Sequence, residues 1–412
     1  MMSMPRTNDV LMLRRDVVAL SVMMLAFTAF IGMATTLTPL RAAELGLSKA
    51  TIGLLQALPG LATLTFGAPL AQLANTRWRR ATLWTMFVMA GVASLLYARA
   101  VTAAGFVLPQ LLFGASMSGF FSNVLASSFR LARGPEQYKI QATITTMQGL
   151  GSLTGPLLGG YLSRYGYGVG FGVGIGCALT GLIAGQMLSP SVAIEDSRGR
   201  WRAFVIAYTR LVRVITQRPA VLLGMSFVLL NSFLLQVMGG SFFLVYTRTV
   251  GLATFQSSLL VSGRELVGTL LRPSFGSVSR RVPPVILLSA GTLLAALALT
   301  LTPLVSSFAG LCLIVLGAGL GTAFLPAALH ILSGASVAPE EQSYGIASLN
   351  LTAWSSQTLT APLAGVALSA VGYQGAYPIF GAICIGAALL VLRWGSQIMR
   401  STSTHVESSG GH

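Results

Sequence analysis

Glu265 is the carboxylate in this chain placed to do chemistry away from water. It lies about ten residues into a long apolar stretch, which is about 15 Å along a helix and so near the middle of a bilayer. Arg264 precedes it, and Arg272 follows seven positions later, on nearly the same helical face about 10.5 Å farther along. Ionisable groups in hydrocarbon are costly and are read as functional by default. Two roles for Glu265 stay open. It is either a proton carrier that alternates between a protonated and an ion-paired form, or the permanent partner of an arginine that fixes helix packing, since buried ion-pair networks also perturb acidity without transport. Arg264 and Arg272 could also hold an anionic solute. Arg272 opens the stretch RPSFGSVSRR, which makes a structural role beside a loop equally open to it.

Uncharged polar groups in other apolar stretches are the next candidates: Gln110 and Asn123, Asn231 and Gln236, and Asn350 with Trp354. Each either lines a cavity or makes a helix-to-helix hydrogen bond, a contact averaging only about 0.6 kcal/mol in a membrane. His330 is read as a relay or as a packed, satisfied histidine. No nucleotide-binding loop of the G-x-x-x-x-G-K-[ST] type, catalytic triad or metal-ligand spacing occurs, which argues against an enzyme, ATP-driven pumping, a cofactor or a metal. The cysteines, Cys177, Cys312 and Cys384, all fall in apolar stretches, where small weakly polar side chains pack.

These residues need elements that hold them inside a membrane. Hydrophobic residues make up 54% of the 412 and charged ones 9%, far below the roughly 25% charge of a soluble domain. Apolar spans of about 20 residues are expected near 17–40, 51–73, 82–99, 103–128, 140–162, 168–188, 220–246, 255–279, 284–304, 307–333, 344–370 and 375–394. The first leads straight into the second without a small-residue cleavage pattern, unlike a signal peptide. Basic residues collect in alternate loops, including Arg14, Arg15, Arg79, Arg80, Arg130, Arg133, Arg280 and Arg281, which places both termini in the cytoplasm of a multi-pass cell-membrane protein. The net charge of +16 then complements anionic inner-leaflet lipid and not nucleic acid.

The stretch from Thr146 to Tyr167 reappears between Thr352 and Tyr373, half a chain length on. Pro156 matches Pro362, Gly159 matches Gly365, Leu162 matches Leu368, and Gly166-Tyr167 matches Gly372-Tyr373. The chain is a duplication. The predicted division is 1–188 as a six-helix bundle, 189–219 as a cytoplasmic linker, 220–400 as a second six-helix bundle and 401–412 as a disordered tail. In the linker, Trp201, Phe204, Val205, Tyr208, Leu211, Val212 and Ile215 recur at helical spacing among arginines, the pattern of an interfacial amphipathic helix.

Parallel halves of six spans joined by a basic loop resemble the major facilitator superfamily, over essentially the whole chain. The fifth-span stretch GSLTGPLLGGYL, with Gly151, Gly155, Pro156, Gly159 and Gly160, resembles the glycine-proline signature of the drug/proton antiporters in that superfamily. Glycines at 151, 155 and 159 form a ridge without side chains, and Pro156 bends the span; a smooth rocking surface between the halves is expected. The repeat in the eleventh span carries Gln357, Ala361 and Val366 instead, so the switch role is expected to be specific to the first half. AQLANTRWRR is similar to the family's cytoplasmic loop signature, with Arg79 and Arg80 matching and Asn75 standing where an aspartate is usual. LPQLLFGASMSG is similar to an arginine-bearing motif but has Gln110 at the arginine position, a group that neither titrates nor acts by charge. The segment from Leu37 to Gly60, with Pro39, Glu44 and Ser48, resembles the antiporters' first-to-second-span segment, and Ser48 is a fitting cap.

The resemblance implies an all-α membrane protein of twelve transmembrane helices in two pseudo-symmetric six-helix bundles, working as a monomer by alternating access. The leading expectation is proton-coupled efflux of a small, partly apolar molecule. The runner-up is an uptake carrier or uniporter for a small anionic metabolite, and a scaffold or sensor without transport is a third class. Substrate identity is not legible in one sequence.

Overall fold

The computed structural model describes residues 7–73, 78–131, 135–189, 212–213, 215–217, 219–279, 281–325, 328–329 and 342–409. All regular structure among them is helical. The first half supplies α1 (Thr7–Glu44), α2 (Lys49–Leu73), α3 (Arg79–Arg99), α4 (Ala103–Leu131), α5 (Pro135–Leu162) and α6 (Tyr167–Gln186). The second half begins with α7 (Pro219–Leu234), a π turn (Leu235–Gly239) and α8 (Ser241–Thr249), which together make one crossing, and continues with α9 (Thr254–Leu271). It ends with α10 (Pro284–Leu301), α11 (Phe308–Thr322) and α12 (Gln342–Ser409), a pair of crossings joined at a non-helical Gly372. Among the described residues, seven helical stretches are long and apolar enough to cross a membrane by length and composition; one of them, Leu351–Trp394, contains two crossings.

Gly166 and Gly372, equivalent by duplication, explain each other. Both have positive φ (114° and 67°), the region where a Cβ is strained, and each turns the chain into the last helix of its half. Side chains that are small or apolar all round suit helices packed in lipid, where close backbone approach replaces the hydrophobic effect as the packing force. In the first half Phe27 stacks on Phe120 at 3.9 Å between ring centroids and meets Phe87 edge-on at 5.5 Å, tying α1, α3 and α4 together. Gly181 of α6 faces the Phe87 ring and Gly174 faces Ser94, leaving no room for larger residues.

The threading is up and down. Asp16 Oδ1, near the start of α1, accepts hydrogen bonds from the Ser189 backbone N–H (2.8 Å) and hydroxyl (3.0 Å), so the first crossing begins where the sixth ends. In the second half one apolar cluster collects Leu223, Phe275, Val285, Leu329, Leu349 and Val391, the alternate helix ends on the termini side. Another collects Leu252, Leu299, Leu311, Leu368 and Tyr377 toward the opposite side, called the distal end below.

The seventh crossing is not a continuous helix, because the π turn ends at Gly240 (φ −114°, ψ −142°) within the run Met238-Gly239-Gly240. Helix α12 extends to Ser409, and residues 396–409 contain no glycine or proline. Residues 190–211 lie outside the described residues, and with them most of the expected amphipathic helix, as do Asn75 and His330.

Candidate functional site

The halves meet along two long seams, α2 against α12 and α5 against α9. On the first, backbones nearly touch: a Cβ added to Gly53 would sit 2.5 Å from the Ala361 carbonyl oxygen and 3.3 Å from Gly365 Cα. Gln357 Nε2 donates to the Gln56 carbonyl at 3.4 Å, and Gly60 faces Trp354 and Thr358. On the second, Ser262 Oγ donates to the Leu153 carbonyl at 3.0 Å, Gly160 faces Ser258, and Gly149 faces Thr269 and Arg272.

The distal end is fastened by polar contacts between halves. Lys49 Nζ donates to the Leu368 carbonyl at 3.1 Å and lies 4.5 Å from the Tyr373 ring centroid. The Ala50 backbone N–H donates to Ser369 Oγ at 3.2 Å. Across the other seam Tyr167 and Thr254 hydroxyls are 3.2 Å apart. Tyr167 and Tyr373 are equivalent by duplication, so each half contributes the same aromatic to a cross-half fastening.

This geometry corrects the reading of the fifth-span glycines. Gly151 and Gly155 face the backbone of α1 at Leu25 and Ala29, Gly159 faces Met33, and Pro156 packs against Gly32. That ridge is an internal contact of the first half, since α5 is rotated so that it faces α1. Residues of α5 that meet the other half include Gly149, Leu153, Gly160 and Tyr161, whose ring stands edge-on to Phe255. Nor is the repeat in α12 without a role at a crossing: a Cβ added to Gly365 would sit 2.5 Å from the Lys49 carbonyl oxygen, so this glycine permits a close seam contact. Arg80 Nη2 donates to the Gln186 carbonyl at 3.3 Å, and its guanidinium carbon is 4.9 Å from the Trp84 ring centroid, so this arginine serves the end of α6 in its own half; Arg79 is buried.

The central candidates separate into groups. Gln110 is buried inside the first half, its Oε1 accepting from the Tyr97 hydroxyl at 3.0 Å. Asn123 is fully buried, with Nδ2 donating to the Gly119 carbonyl at 2.7 Å and toward Leu70 at 3.5 Å, which ties α4 to α2. Both occupy helix-to-helix positions within one bundle, one of the two roles open to them in the sequence, and Asn123 Oδ1 is buried without a partner among the described residues. Asn231 and Gln236 flank the broken seventh crossing, and Asn231 Oδ1 and Gln236 Nε2 are buried without hydrogen-bond partners among the described residues. Trp354 packs against the first-half core from α12. The Asn350 side chain lies outside the described residues.

Glu265 and its arginines do come together. Arg264 Nη2 donates to Glu265 Oε1 at 2.7 Å, and Arg272 Nη2 stands 4.0 Å from Oε2. The Glu265 side chain is 22% exposed and Arg264 13%. Arg272 sits in a short 3-10 turn (Arg272–Ser274) at the end of α9 and faces Gly149 of the other half. Two guanidinium nitrogens, Arg264 Nη1 and Arg272 Nε, are buried without partners among the described residues. The arrangement is therefore one carboxylate between two cations on the α9 side of a cross-half seam. It can exchange an ion pair for a proton or receive an added anion.

Asp16, the π turn and Lys49 were not singled out in the sequence. The Gly239-Gly240 pair and the duplicated Gly-Tyr were the signals that point to two of these places. Among the described residues no group of three or more His, Cys, Asp or Glu side chains gathers to hold a metal.

None of the curated proteins compared matches the sequence as a relative. Solved structures of the same fold are nonetheless plentiful. A POT family transporter in complex with 5-aminolevulinic acid superposes with a TM-score of 0.78 at 15% identity, covering 93% of this chain and 96% of that one. The nucleoside transporter NupG gives 0.72 at 13%, covering 92% and 98%. A bacterial homolog to the human lysosomal transporter Spinster, in an inward-facing and occupied conformation, gives 0.69 at 14%, covering 92% and 96%. The sequence model of the Major Facilitator Superfamily matches residues 18–316 and again 220–409. With its twelve crossings in two duplicated bundles, the chain is a multi-pass membrane transporter that belongs to the Major Facilitator Superfamily.

Proposed function

We propose that this transporter is a proton-coupled exporter of a small, partly apolar molecule, working by alternating access in the cell membrane with both termini cytoplasmic. The observation that carries this reading is the position of Glu265 between Arg264 and Arg272 on α9, with Arg272 facing Gly149 across the seam with α5. When Glu265 is ionised it holds both guanidinium groups. A proton taken from one side neutralises it, frees Arg264, and loosens a contact next to the surface along which the halves must move. The charge change is thus coupled to the conformational change without any cofactor. Gln110 does not contribute charge, so the coupling is assigned to Glu265. The fifth-span resemblance to drug/proton antiporters supports the outward direction and a small, partly apolar cargo.

The test is a pair of flux measurements in liposomes with an imposed pH gradient, on the parent and on Glu265→Gln, with melting temperature measured alongside. Proton flux is expected to vanish while the fold is retained. Survival of both fluxes in a folded Glu265→Gln protein removes the proton-carrier assignment.

A second reading, a uniporter or uptake carrier for a small anion, is favoured by the unpartnered Arg264 Nη1 and Arg272 Nε, which offer donors to a carboxylate. It predicts anion flux that proceeds without proton flux and collapses in Arg264→Gln.

A further inference from the structure

A cavity of about 460 Å³ opens at the distal end, on the seam between the halves. Ala43, Leu47, Ser48 and Lys49 line it from the first half, and Val245, Arg248, Thr249 and Ser369 from the second. It is separate from Glu265, which sits more than half-way along α9 from the distal side. Its two cations, Lys49 and Arg248, come from different halves. Neither is neutralised: Lys49 Nζ donates to the Leu368 carbonyl at 3.1 Å, Arg248 Nη1 donates to the Leu252 carbonyl at 3.3 Å, and no carboxylate lies in ion-pair range of either among the described residues. The nearby carboxylate of Glu44 lies 3.6 Å from Arg41 and also interacts with the Tyr167 hydroxyl, and it makes no ion pair with Lys49 or Arg248. An ammonium with three N–H groups and a guanidinium with five are left with donors to spare. Ala43, Leu47 and Val245 make the rest of the wall apolar.

We propose that this mouth is a binding site for an anionic group carried on an apolar body, and that its occupant holds the halves together at the distal end. A carboxylate or phosphate seated between Lys49 and Arg248 bonds both halves at once, with the apolar body against Leu47 and Val245. The volume suits a small organic anion, being within the range of about 300–1,000 Å³ of ordinary ligand pockets. When the distal end opens, Lys49 and Arg248 part and the site is lost. A ligand that binds one conformation and not the other shifts the population toward the one it binds. The anion is therefore a regulator of turnover that acts from the distal side, and the inference does not rest on which molecule crosses the membrane or on proton coupling.

The shared chemistry admits a free carboxylate or a lipid headgroup, and one experiment separates them. In a protein freed of Cys177, Cys312 and Cys384, spin labels at Val101 and Leu304, exposed positions of opposite halves at the distal end, report the separation of the halves in nanodiscs of neutral lipid. Benzoate is expected to enlarge the short-distance population saturably, and benzyl alcohol at equal concentration to leave it unchanged. Arg248→Gln should raise the half-saturating benzoate concentration by about tenfold, the effect of losing one charge-assisted contact. Its distances without benzoate should match the parent's, because the hydrogen bond of Arg248, to the Leu252 carbonyl, lies within its own half. Lys49→Arg should keep the response. If nanodiscs containing phosphatidylglycerol show the short-distance population before benzoate is added, and Arg248→Gln abolishes it, the occupant is the lipid headgroup. The proposal is overturned if benzyl alcohol acts like benzoate, if Arg248→Gln binds benzoate with the parent's affinity, or if neither benzoate nor anionic lipid moves the distance.

Discussion

A methyl group added at Gly53 separates a moving seam from a fixed one. The new Cβ would stand 2.5 Å from the Ala361 carbonyl oxygen and 3.3 Å from Gly365 Cα. Ordinary contact between carbon and oxygen needs roughly 3.3 Å, so α2 and α12 must part by about 0.8 Å, and the obstruction is backbone that cannot rotate away. Overpacking of this kind costs about 1–3 kcal/mol. In a transporter whose halves separate here, the cost falls on the conformation with the seam closed and is relieved when it opens. Taking about 2 kcal/mol, the closed-to-open ratio falls by about thirtyfold in Gly53→Ala. The assay is the distance distribution between spin labels at Val101 and Leu304, with melting temperature recorded in parallel. Gly155→Ala is the control, since its Cβ would strike the Ala29 backbone inside the first half. That clash is present in every conformation, so Gly155→Ala should lower the melting temperature and leave the distance distribution alone. If Gly53→Ala lowers stability without moving the distances, or both variants behave alike, the α2–α12 seam is a permanent contact and the reasoning fails.

Two further outcomes follow from the same packing. Tyr97→Phe removes the buried hydroxyl that donates to Gln110 Oε1; stability is expected to fall by about 1 kcal/mol, read as a lower melting temperature in detergent with an unchanged KM, and a raised KM at unchanged melting temperature would place Gln110 at the substrate. Gly372→Ala puts a side chain at φ +67°, ψ −178°, a glycine-only region costing about 1–3 kcal/mol, whereas Gly386→Ala meets open space and should be neutral or slightly stabilising; equal melting temperatures for the two variants would mean that the turn between the last two crossings is not held as described.

The fold was legible because membrane helices announce themselves by composition and the duplication announces their arrangement. Gly166 and Gly372 are the clearest case: matched in sequence, they turn out to share a positive φ at equivalent turns. Glu265 was legible too, because a carboxylate in an apolar span has few neighbours to choose from, and its nearest arginines in sequence are its partners in space. Which side of a helix faces which neighbour was not legible. The ridge of Gly151, Gly155 and Gly159 is visible in sequence, but its facing α1 and not α9 depends on the rotation of α5, which period alone does not set. The choice between the two roles of Gln110 and Asn123 was not legible for the same reason: a polar residue in an apolar span bonds to a helix of its own bundle as readily as it lines a cavity. Lys49 looked like a loop residue, since its acceptors, the Leu368 carbonyl and the Tyr373 ring, lie across the whole duplication and carry no local signal.

Rocking of two duplicated bundles about a central site is tested most directly by two distances in one preparation: Val101 to Leu304 at the distal end, and Met187 to Arg281 at the termini end. Across conditions that change the conformational population, such as pH or added cargo, the two distances should change in opposite senses, the distal pair lengthening as the termini pair shortens. Distances that stay fixed, or that lengthen and shorten together, would contradict it.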